Sequence, residues 1–200
     1  MKNKKLIIFG SLITSIVALL AVVIIGDFFR TEAYVPSFPY IATLNGIPIP
    51  LDEYKIYLRE EVLSFEFTGG PLIWRTDFSG VPASEVAKNN ALESIIFIML
   101  TNDHAESLNV SLSYEERAEA YNAAVDWFET FTPEEQEIYE IDTIVRIFEA
   151  GTLQMKVAYE LTQNYMVTER EAGFERLFTA WRQNAVIERN PVVWDSIVIE

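Results

Sequence analysis

Carboxylates are the most abundant reactive groups in this chain. It has 30 aspartates and glutamates, one histidine and no cysteine. The histidine, His104, stands in Asn102-Asp103-His104-Ala105-Glu106. A metal site would have to join it to Glu106, two positions on, and residues so spaced do not share a helix face. Near the C-terminal end of a long apolar helix, a protonated imidazole instead meets the negative end of the helix dipole. Acidic pairs (Asp52-Glu53, Glu60-Glu61, Glu115-Glu116, Glu134-Glu135) could in principle divide general acid and base work. Most fall at helix starts, where they complement the dipole. There is no G-x-S-x-G, P-loop or Rossmann glycine pattern. The lack of cysteine removes disulfides, thiolate nucleophiles and soft metal sites together. The expectation is a protein that is not an enzyme and has no cofactor or metal.

The aromatic residues offer a different chemistry. Trp127, Phe128, Phe131, Tyr139 and Phe148 fall in two helices joined by a tight turn. They could be core. A helical pair projecting from a small body could also leave some of them exposed, and aromatic surface rimmed by acids would suit weak, sequence-tolerant binding of apolar segments. These five are the candidate client-binding residues.

The elements that must position them can be read from pattern. Tyr40 to Leu44 alternates as a strand, and Asn45-Gly46 supplies the two positive-φ turn positions of a tight hairpin. Ile47 to Ile49 forms the short return, confined to an edge by Pro48. Helices are expected at 52–65, 82–108, 114–131, 134–150, 151–166 and 169–184. The run Ile95-Ile96-Phe97-Ile98-Met99-Leu100 is apolar on every side and should be a buried hub. Ser113-x-x-Glu116 and Thr132-Pro133-Glu134-Glu135 read as capping boxes, the latter with proline at the first helical position. Thr168-Glu169-Arg170-Glu171 reads as a third. Each cap is worth ~1 kcal/mol. A strand over 185–188 could pair with Tyr40 to Leu44, so that a small β clasp joins the two ends of a mainly α domain.

Ahead of this domain, Lys2, Lys4 and Lys5 precede residues 6–25, twenty residues without a charge. At 1.5 Å per residue these reach about 30 Å, a bilayer core. Residues 1–26 are therefore expected to be an uncleaved transmembrane anchor, 27–39 a linker and 40–200 the folded domain. The lysines before the span keep the N-terminus in the cytoplasm and the domain outside. All the acidic residues follow residue 26, against 12 of the 15 basic ones, a net charge of −18. That surface repels nucleic acid.

The segment "IATLNGIPIPLDEYKIYL" resembles the opening of the SurA/PrsA-type extracytoplasmic foldases. "AKNNALESIIFIMLTNDHAESLNVSLSYEE" resembles the family's long helix and its next capped helix, and "MVTEREAGFERLFTAWRQNAVIERNPVVW" its closing helix and strand. Together these cover roughly residues 40–194. The resemblance implies a chaperone that holds unfolded or newly exported polypeptides near the membrane. It also implies that the parvulin isomerase domain is absent, because Tyr165-Met166-Val167-Thr168 runs straight into the closing helix. A catalytic domain would need on the order of 100 residues there, and its histidine cluster cannot be built from one histidine. The alternatives are a non-catalytic envelope scaffold with one dedicated partner, and a peptidyl-prolyl isomerase acting through an unrecognised site.

Overall fold

A computed structural model describes residues 38–199. The expected anchor and most of the expected linker lie outside them. Among the described residues, no helix is long and apolar enough to cross a membrane.

The fold is mainly helical with a small sheet. Strands β1 (Tyr40–Leu44) and β2 (Ile47–Pro50) form the expected hairpin. Asn45 and Gly46 take φ of 51° and 81°, the two positive values of a type I′ turn. Helix α1 (Leu51–Gly69) follows at once, with Pro50 in the cap position and no side-chain cap. In place of a plain loop, a 3₁₀ turn (Pro71–Arg75) leads to a minimal hairpin, β3 (Asp77–Phe78) and β4 (Val81–Pro82). Helix α2 (Ala83–Asn102) comes next, then α3 (Tyr114–Phe128), α4 (Pro133–Ile138) and α5 (Ile141–Thr162). A second 3₁₀ turn (Val167–Glu169) enters α6 (Arg170–Asn184), followed by β5 (Ile187–Arg189) and α7 (Pro191–Ser196).

Both capping boxes at Ser113 and Thr132 form with their reciprocal bonds. The one expected at Thr168 does not: Glu169 caps α6 without a side-chain bond, and Thr168 lies in the 3₁₀ turn before it. The expected boundary at 150/151 is also absent. The chain breaks earlier, at Tyr139 and Glu140, both in extended conformation, and α5 continues through Gly151. A helical glycine costs ~1 kcal/mol relative to alanine, which packing of α5 against α2 and α3 offsets. In α6, Gly173 is needed for space, because a Cβ there would collide with the Tyr165 ring.

The sheet runs β2-β1-β5, antiparallel throughout. Leu44 faces Ile187 and Thr43 faces Glu188, and β5 starts two residues later and ends one later than the expected strand. Against this sheet lies the first core. It joins Ile41, Leu44 and Ile49 to Tyr54 and Leu58 of α1, to Leu92, Ile95, Ile96 and Leu100 of α2, and to Trp194 of α7. As its all-round apolar sequence implies, α2 is the hub, packing on α1, α5 and α6. His104 lies just past its end and stacks on Trp181 of α6, ring centroids 4.1 Å apart.

Trp194 fixes the C-terminus to this core. It is 5% exposed and its Nε1–H donates to Glu85 at 3.3 Å. Lys88 and Arg189 lie over its ring at 4.9 and 4.1 Å. Trp194→Ala should lower the unfolding free energy by about 3–5 kcal/mol. Replacing its exposed neighbour Asp195 by alanine should cost less than about 0.5 kcal/mol. Urea denaturation of the two variants checks this.

Candidate functional site

All five candidate aromatics meet, but they face one another. Phe131 is the centre, its ring 4.7 Å from Trp127 and 5.7 Å from both Phe128 and Tyr139, with Phe148 5.6 Å from Trp127. They close over Ile56, Ala124 and Ile144 as a second core. Phe131 is buried and the other four are half-buried. Of the two placements open to these residues the arrangement is a packed cluster, with four rings keeping part of their surface in water. The helical pair does not project alone, because α1 packs against it through Ile56 and Arg59.

Arg59 is the joint between the two cores. Its Nε and second terminal nitrogen donate to the two oxygens of Glu135 at 2.6 and 3.1 Å. Such a bidentate pair fixes orientation as well as distance. Its guanidinium lies 3.9 Å from the Phe131 ring centre, a cation–π contact. Glu135 also accepts the Thr132 N–H at 2.8 Å in the capping box. One carboxylate thus completes a helix cap and ties α4 to α1. Held chiefly by Arg59, its pKa is depressed to about 2.

Apolar surface that does face solvent lies on an arm built from the end of α1, the first 3₁₀ turn and the β3–β4 hairpin. Phe65 stacks on Trp74 at 5.6 Å and meets Phe78 edge-on at 6.0 Å. Trp74 Nε1–H donates to Glu66 at 3.1 Å. This inner ladder holds the arm's shape and leaves other groups outside. Phe67 is 94% exposed and Leu72 66%, with Leu63, Phe78 and Val81 also exposed. Residues 67–82 carry only Arg75 and Asp77, a neutral surface on a strongly acidic body. The sequence held a signal for the arm in this long, nearly uncharged run with an exposed-type glycine pair at Gly69-Gly70, but its apolar residues lack helix or strand periodicity.

A second apolar feature is a groove of about 670 Å³ between the start of α1 and the α4–α5 junction. Of the candidate residues, only Tyr139 lines it. Burial pushes the Tyr139 phenol up from its ordinary value.

Among the described residues, no cluster of histidine, aspartate and glutamate is placed to hold a metal ion. No protein-family model, curated protein or solved structure matches the chain.

Because the Glu135 pKa in the folded protein lies below its ordinary value of 4.5, the stabilisation it gives is complete above that value and is lost as pH falls toward 2. Glu135→Gln should lower the urea midpoint at about pH 6, and the gap to the parent should narrow by about pH 3. A gap that stays constant over this range would show that the Arg59 pair does not form.

Proposed function

We propose that this chain is a membrane-anchored extracytoplasmic chaperone of the SurA/PrsA type, without a parvulin domain, that holds apolar segments of unfolded or newly exported polypeptides. The observation that carries this reading is the arm. Large apolar side chains such as Phe67 and Leu72 project from a shape-stabilised base. Exposed apolar surface of this kind, on a protein of strongly acidic composition, suits contact with other chains. The acidic body keeps the protein soluble while the neutral arm lets an apolar segment approach. Contacts of this sort exchange quickly, so release needs no nucleotide.

The order of the motifs along residues 40–194 supports the same reading, as does the apolar run at residues 6–25, which would keep the domain close to emerging chains. Isomerisation is not part of the proposal. His104, the one histidine of the chain, is stacked on Trp181 and is no part of a histidine cluster.

The experiment is suppression of aggregation of a chemically unfolded client at stoichiometric ratio, with the parent and a Phe67→Ser, Leu72→Ser double variant. Both replaced side chains are exposed, so the variant should retain its circular dichroism spectrum and lose less than about 1 kcal/mol of stability. The parent should suppress aggregation and the folded variant should lose most of that effect. A parent without effect would contradict the proposal. If it then retained one tight partner from the cell envelope, the scaffold reading would replace it.

A further inference from the structure

The groove at the α4–α5 junction has a chemistry different from that of the arm. Its apolar lining comes from Phe38, Leu51, Ile56, Ile138 and Tyr139. Its polar groups are mostly spoken for. Thr143 Oγ1 donates to Asp52 at 3.0 Å, and Arg146 donates to Thr143 at 2.9 Å and to Asp52 at 3.4 Å. Lys55 and Glu140, of opposite charge, also line the wall. The interior is thus apolar and close to neutral.

Its surroundings are not neutral. From Tyr114 to Asp142 the chain has ten acidic residues and one basic one, Arg117. Arg117 is paired with Glu149. Glu116 is met by Lys156 and Glu135 by Arg59. The rest, including Glu140 of the groove wall and Glu134, Glu137 and Asp142 of the same segment, are exposed and form no ion pair among the described residues. Ile138, 66% exposed, stands among them at the groove lip. An acidic ligand approaching this lip is repelled and a cationic one is drawn in.

We propose that this groove receives polypeptide segments carrying lysine or arginine beside apolar side chains. The apolar groups pack on Leu51, Ile138 and Tyr139, and the cations lie toward Glu134, Glu137 and Glu140. This rests on the reading that the protein binds polypeptides and adds a preference within it: the arm takes apolar segments without regard to charge, and the groove selects basic ones.

The test uses the full-length chain and three fluorescent eight-residue probes sharing a Leu-Ile-Leu-Leu centre, flanked by lysines, by serines or by glutamates. Anisotropy should show the lysine probe binding about tenfold more tightly than the glutamate probe, with the preference shrinking as salt rises from about 0.05 M to about 0.5 M. Glu134→Gln, Glu137→Gln and Glu140→Gln together should weaken the lysine probe about fivefold and leave the serine probe unchanged. These are exposed, near-isosteric changes that spare the Arg59–Glu135 pair. Ile138→Ala should weaken both probes. Equal binding of lysine and glutamate probes, or a triple variant that binds the lysine probe like the parent, overturns the inference. If client aggregation is still suppressed in that case, only the groove assignment falls. If no client and no probe is bound, the functional reading falls with it.

Discussion

The fold depends on β1. This five-residue strand has β2 on one side, joined by a two-residue turn, and β5 on the other, more than 140 residues later. Among the described residues it therefore sets the opening hairpin and the closing strand in one register. The Asn45 N–H donates to the Val186 carbonyl at 2.8 Å, and Asn45 Oδ1 accepts the Val186 N–H at 2.9 Å. Asn190 donates from its backbone to Ile41 and from its side chain to Tyr40. Asn45 thus serves both the turn and the seam. Closing so long a loop costs entropy that rises only logarithmically with length, and burial of Trp194 beyond the seam helps to offset it. The hairpin that opens the folded part matters as half of this closure. On its free edge, Pro48 stands next to the closing pair Leu44–Ile47, where the amide would point outward from the sheet. A proline there offers no donor to a further strand.

Around this seam three groups of apolar residues stand out. One buries Ile41, Leu92, Ile95 and Trp194 between the sheet and α2. A second closes around Phe131 and is locked to α1 by Arg59 and Glu135. The third, on the arm and at the groove lip, stays in water although the two cores could be complete without it. Phe67, Leu72 and Ile138 contribute little burial of their own, and their exposure is the part of the structure that stability does not explain. The charges follow the same division. Carboxylates crowd α3, α4 and the start of α5 but are nearly absent from residues 67–82.

Features set by local chemistry were legible in the sequence. Asn45-Gly46 announced its turn, and Ser113 and Thr132 their caps, because partners three residues away are enough to form them. The clasp was legible to within two residues, since few segments after the last long helix could serve as its third strand. The helix break at Tyr139–Glu140 was not, because Gly151 is the stronger local breaker and only packing on α2 and α3 overrides it. Thr168 failed as a cap for a similar reason: the chain turns through a 3₁₀ step, and Thr168 falls within it. The candidate site was legible only as a cluster. Spacing brought Trp127, Phe128, Phe131, Tyr139 and Phe148 together but could not show which way they face. That depends on Ile56 and Arg59, some 70 residues earlier. The arm has no period to read, and its exposed side chains emerge only when Phe65 is seen stacked on Trp74.

The proposed function has unfolded chains meet this protein at the arm and not at the aromatic cluster around Phe131. Its most direct test places a photo-crosslinking phenylalanine analogue at position 67 in one full-length chain and at position 128 in another, and irradiates each with an unfolded client. Adducts from position 67 with few or none from position 128 are the predicted result. Adducts from position 128 with none from position 67 would contradict it, and would return the binding surface to the helical pair.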